Sequence, residues 1–196
     1  MKQTLLSLLA VAFAGTLMAQ DCTELFFSEY VEGTQNNKAL EIYNPTSAAI
    51  SLNDYQMSRY DNGSVVPNYV SFPTGTTVPA RGVLVVVLDK RDPNGTGQEV
   101  PVVPELAAMA DIWLCPVYTV NKMMYFNGND AVTLERKSNG AFVDIIGTIG
   151  VNPGYGWNND ASTGYLMAEY YNPNHWTYDR SEERRVGKEC RSRWSP

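Results

Sequence analysis

The chain has 196 residues, with 15 Lys and Arg against 21 Asp and Glu and a formal charge of −6. That length supports one domain with a buried core, and the acidic balance disfavours direct nucleic-acid binding, which needs gathered cations on a phosphate backbone. A single histidine excludes any site built from several imidazoles, the helical zinc-protease pattern included.

Residues 1–19 read as a secretory signal peptide. Lys2 gives the positive start, residues 5–17 are apolar apart from Ser7, Gly15 and Thr16, and Ala19 is a small residue suited to cleavage. The apolar run falls short of the about 20 residues that span a bilayer, and Asp21 before Cys22 does not suit lipid attachment. No later segment is long and apolar enough to cross a membrane, so an exported, extracellular product with no membrane span after cleavage is expected.

Residues 20–179 are expected to form one domain. Turn formers recur along it, at Asn44-Pro45, Asn62-Gly63, Asn94-Gly95, Asn127-Gly128, Asn139-Gly140 and Asn152-Pro153-Gly154. The runs between them are short and rich in β-branched and aromatic residues, the pattern of an all-β sandwich. Strands are predicted over residues 25–30, 39–43, 55–60 and 69–72. Residues 83–88 are apolar throughout and are expected to lie centrally, buried on both faces. Over 89–125 the pattern loosens into a loop at 92–97 and one helical turn around 105–109; so long an insertion is where variable function sits. Residues 131–136 and 142–149 are predicted to pair as a hairpin turned by Ser138-Asn139-Gly140, with Val132 and Leu134 facing inward.

Residues 180–196 carry six basic and three acidic residues without periodicity. The string resembles, codon by codon, a sequencing-library adaptor translated in frame. It is expected to be artefactual rather than a basic binding tail and is set aside from the fold. Leaving it out with the signal peptide, residues 20–179 hold 8 basic and 18 acidic residues, a formal charge of −10.

Two stretches carry a family signature. One is Ser28-Glu29-Tyr30-Val31-Glu32-Gly33, running on to Asn37-Lys38-Ala39-Leu40-Glu41-Ile42-Tyr43-Asn44-Pro45. The other is Tyr125-Phe126-Asn127-Gly128-Asn129-Asp130-Ala131-Val132-Thr133-Leu134-Glu135, answered by Val143-Asp144-Ile145-Ile146-Gly147. Together they resemble the opening and the central hairpin of a lamin tail domain of the exported bacterial type, over about residues 25–179. The resemblance implies an immunoglobulin-like β-sandwich that attaches or binds. It also implies a strand with a Leu-Ile-Arg-like core after His175-Trp176-Thr177. The adaptor-like string stands there instead, so the domain is expected to be truncated, with a sheet edge left bare.

Chemistry is thinly provided. No Gly-x-Ser-x-Gly elbow, phosphate-binding glycine loop or dinucleotide fingerprint occurs, and catalytic residues are expected to be absent. His175 beside Trp176 suits a turn or core edge better than a general base, which needs a positioned partner. With Cys190 in the tail, Cys22 and Cys115 are expected to form a disulfide after export. Closing so long a loop is worth about 4–5 kcal/mol on the chain-entropy model; two buried thiols are the alternative. Glu29, Glu32, Asn36, Asn37 and Glu41 form an oxygen-rich loop that suits calcium, the one cofactor considered, although turn chemistry explains the same residues. Asn127, Asn129 and Asp130 read as self-capping turn residues. Tyr155, Trp157 and Trp176 offer rings for sugar stacking, or for edge packing of the sandwich.

These features point to a secreted, non-catalytic binding, adhesion or scaffold module whose partner is a protein or a cell-envelope or glycan surface. The alternatives are an N-terminal accessory domain of a truncated extracellular nuclease or phosphoesterase, since related domains precede such enzymes, and a glycan-binding module.

Overall fold

Apolar residues at alternate positions, punctuated by asparagine-glycine turns, fold this chain into two facing sheets. The computed structural model describes residues 23–154 and the backbone of 158–160, 165–166 and 177–179. Strands β1 (Phe26–Glu32), β2 (Lys38–Tyr43), β3 (Ile50–Ser51), β4 (Tyr55–Tyr60), β5 (Asn68–Ser71), β6 (Thr77–Val78) and β7 (Val83–Leu88) come first. After them come the helical turn α1 (Pro104–Ala107), β8 (Ile112–Leu114), β9 (Ala131–Arg136), β10 (Phe142–Ile146), β11 (Asn158–Asp160), β12 (Tyr165–Leu166) and β13 (Thr177–Asp179). One sheet has the order β13-β1-β2-β7-β8 and the other β10-β9-β4-β5, with β3-β6 and β11-β12 as small pairs. The architecture is an immunoglobulin-like β-sandwich.

Phe27, Leu40, Ile42 and Val86 of the five-stranded sheet meet Met57, Val132, Leu134 and Ile146 of the other, each at most 1% exposed. Full burial of such a side chain contributes about 1.5–3 kcal/mol. Across this core the Phe27 amide donates to Asp144 Oδ2 at 2.9 Å, tying one sheet to the other. Bulges sit between Phe27 and Glu29 in β1 and between Phe142 and Asp144 in β10, beside the residues that make this bond.

The all-apolar run in β7 is covered on both sides. Leu84, Val86 and Leu88 face the sandwich core. Val87 packs outward with Ala39, Val102 and Leu106, and Val85 joins the edge of that second cluster. The cover comes from the insertion after β7. It forms α1, a single turn opening on Pro104, where a missing N–H breaks no helical bond. It then returns as β8, parallel to β7 with Val86 opposite Ile112 and Leu88 opposite Leu114. Parallel neighbours need a long crossover, and residues 89–111 supply it.

Two expectations change. β10 ends at Ile146 rather than 149, because Gly147 takes φ 83 and turns the chain away. The sheet edge expected to be bare is paired in part: β13 lies antiparallel to β1, with Glu29 opposite Asp179 and Val31 opposite Thr177.

Candidate functional site

The loop between β1 and β2 holds the insertion in place. It closes on itself through Gly33 N donating to Asn37 O at 2.7 Å, with Gln35 at φ 55. That leaves two amide side chains pointing at the insertion. Asn36 Nδ2 donates to Gln98 O at 3.0 Å and Val100 O at 2.7 Å, and Asn37 Oδ1 accepts from Val103 N at 2.8 Å. Backbone groups outside any ladder need partners of this kind when they leave water. Lys90 is the second anchor. It is 3% exposed and donates to Pro116 O at 2.7 Å and to Glu99 Oε2, and its Nζ lies 5.4 Å from the Tyr125 ring centre. Burial works against the Lys90 charge, but the bonds to Glu99 and Tyr125 outweigh it and hold the pKa above the ordinary lysine value.

Between the outer face of the five-stranded sheet and α1 lies a solvent-accessible cleft of about 70 Å³. Val31, Ala39, Val85, Leu106 and Met109 form its largely apolar walls, and Glu29, Glu41 and Glu105 complete the set of lining residues. Glu29 and Glu41 sit directly opposite each other in the β1–β2 register. Ser28 Oγ donates to Glu41 Oε1 at 2.5 Å and fixes that carboxylate.

The other polar concentration is buried and structural. Arg59, 5% exposed, lies with Nε 2.9 Å from Asp130 Oδ2 and donates from Nη1 to Lys122 O and Tyr125 O at 2.8 and 2.9 Å. The Nε–H is not aimed well at an acceptor, so the contact is an ion pair more than an aligned hydrogen bond. Asp130 also accepts from Asn127 N at 3.0 Å and Asn62 N at 2.9 Å, while Asn129 Nδ2 donates to Asn62 Oδ1 at 2.9 Å. Burial pushes the Asp130 carboxyl above its ordinary value, against the pull of Arg59. On the outward face of β4 and β9, Tyr60 and Gln56 donate to Glu135 at 3.1 and 3.0 Å. Burial first, and then Glu135, push the Tyr60 hydroxyl up to about 12.

The five residues of the oxygen-rich loop are not brought to one point. Glu32 accepts from Tyr30 at 2.9 Å and pairs with Lys38 at 3.4 Å. Asn36 and Asn37 serve the insertion, and Glu29 and Glu41 face the cleft. Among the described residues no group of three or more His, Cys, Asp or Glu is arranged to hold a metal. Cys115 is a free thiol, 4% exposed, with Sγ 3.4 Å from Asn121 Oδ1, and burial pushes its pKa up to about 11. Cys22, Tyr155, Trp157, His175 and Trp176 lie outside the described residues. No described helix is long and apolar enough to cross a membrane. Lys90 and the paired Asn36 and Asn37 were not singled out by sequence as anchors, because their partners are backbone groups far along the chain.

Residues 19–150 match the family model described as Lamin Tail Domain. The chain matches no curated protein.

Proposed function

Since the chain belongs to the lamin tail domain family, a non-catalytic binding or scaffold module, we propose that it is exported and contacts protein or envelope components through the insertion at 89–125. On this reading residues 1–19 are a cleaved signal, 20–179 the working domain and 180–196 an artefact. The observation that carries it is the way the insertion is laid over the sheet. It is tied at Lys90 and at Val100 to Val103, and it presents Val117, Tyr118 and Val120 at 48%, 37% and 82% exposure. Apolar side chains held outward on an ordered loop suit contact with a partner.

A photo-crosslinking residue placed at Val120 is expected to capture one envelope component in cells, and the same residue at Asn139, on the β9–β10 turn, is expected to capture none. Equal capture at both positions ends the reading. Sequencing of the exported protein should find Gln20 at its N-terminus.

A further inference from the structure

We propose that the open edge of β5 takes up an extended segment of a partner protein, which pairs with it as a fifth strand of the four-stranded sheet. The proposal rests on the binding-module reading and names how the partner is held.

The hydrogen-bond phase of that sheet leads there. Lys137 N donates to Asp54 O at 2.7 Å, so the even-numbered residues of β4 turn their main-chain groups to β9 and the odd-numbered ones to β5. Met57 and Arg59 therefore bond Val70 and Asn68, their register partners, and Tyr69 and Ser71 direct N–H and C=O away from the sheet. β5 is the last strand in its order. Among the described residues, the Tyr69 N–H and both main-chain groups of Ser71 find no hydrogen-bond partner. The Tyr69 carbonyl has one, and it is an amide: Asn121 Nδ2 donates to it at 2.9 Å. That amide is aimed by its own oxygen, which accepts from Met123 N at 2.9 Å. The edge thus already receives one peptide-like donor, from a side chain.

An open cleft of about 370 Å³ lies beside this edge, lined by Pro67, Asn68, Tyr69, Val120 and Asn121. Tyr69 lines it from the strand and Val120 from the insertion, both exposed, and the exposed Val65 and Val66 lead into β5. An extended chain pairs with the free N–H and C=O groups while its alternate side chains meet those apolar walls. A helix spends its main-chain groups internally and offers the edge nothing to pair with. Neither a charged residue nor a bulge guards β5. Pro67 and Pro73 bound it, so pairing is limited to Tyr69 and Ser71 and suits a short segment rather than an open-ended stack. A second copy of this chain fits less well, since the charge of −10 over residues 20–179 repels its like. The same charge favours a segment with basic flanks.

The test is amide hydrogen exchange, read by two-dimensional NMR on the whole chain, with an acetylated and amidated heptapeptide that alternates valine and threonine between terminal lysines. Its control is the same peptide N-methylated at the three central residues, which cannot form a ladder along either edge. The plain peptide is expected to slow exchange at Tyr69 and Ser71 at least about tenfold, and the methylated one to leave both fast. Ser71→Pro removes an outward N–H without touching a bond to β4. It should weaken binding about two- to tenfold, with unchanged β4 and β9 signals as the check on folding. Val120→Ala, at an exposed position of the opposite wall, should weaken binding as well and leaves the strand intact. Slowing by both peptides, slowing by neither, or indifference to both variants overturns the proposal. Exchange at Tyr69 and Ser71 that is slow in the concentrated free chain and fast on dilution would mark a second copy as the occupant and overturn it too. Capture at Val120 in cells without slowing by the peptide removes the paired strand and leaves the insertion reading. Slowing by the peptide without capture at Val120 removes the insertion reading alone.

Discussion

Arg59 and Asp130 show what single residues decide here. A guanidinium 5% exposed and a carboxylate 1% exposed face each other, and the turn backbone of Asn127 and Asn62 closes around the carboxylate. Removing one member of a buried pair strands the other, at about 3–5 kcal/mol. Asp130→Ala is therefore expected to lower the unfolding free energy by that measure and the urea midpoint in proportion, while Asn139→Ala on the exposed hairpin turn leaves both almost unmoved. The cap that Asp130 places on Asn127 N was legible because it is local, whereas Asn129, expected to cap the same turn, donates instead to Asn62 far along the chain. Arg59 was not legible, because its partner lies far along the chain and only the β4–β9 pairing brings the two together. Cys115 gives a second prediction at this scale. Its folded pKa is raised from the ordinary 9.0 to about 11, with burial as the main cause. Folding therefore favours the protonated thiol; that contribution is complete below pH 9.0 and is lost as pH climbs through about 11. Denaturation curves across this range should fall for the parent chain and fall less for Cys115→Ser. Iodoacetamide should label the Cys115 peptide only after unfolding, whereas a Cys115 peptide linked to Cys22 would restore the disulfide expected from sequence.

At the scale of elements, strands with strong local patterns were legible: β4, β7 and β9 fall on the predicted residues 55–60, 83–88 and 131–136. Alternation, or an unbroken apolar run, is enough to specify a strand's faces without knowing its neighbours. β8 escaped notice because its three residues are a strand only by virtue of lying parallel to β7. β3 and β6, two residues each, are too short to show a period. The insertion was legible as an insertion, but its attachment was not, since amide side chains in one loop satisfy backbone groups in another. Asn37→Ala would leave Val103 N without its acceptor, a loss worth about 1–3 kcal/mol. The expected result is local: hydrogen exchange should quicken at Val102 and Val103 and stay slow in β4 and β9. Quickening throughout the sandwich would mean the bracket supports the whole fold.

For the whole molecule, the outer edge of β1 matters most. β13 covers it over three residues, from Glu29 to Val31, and thereby becomes the edge itself. An uncovered edge offers its N–H and C=O groups to other chains. A chain ending at residue 176 is therefore expected to scatter light at lower concentration than one ending at 179; equal behaviour would show that β13 adds no protection. The sandwich was legible in the sequence from pattern, whereas the bare edge was expected from the family resemblance, and β13 covers part of that edge. The sequence could not show how many β1 positions find a partner, because register depends on the two strands meeting. The stretch from Arg91 to Gly97 hangs between Lys90 and the Asn36 contact at Gln98, clamped at each end and wet along most of its length. Foreign epitopes spliced into that span would be displayed on a rigid mount while both layers beneath keep their shape.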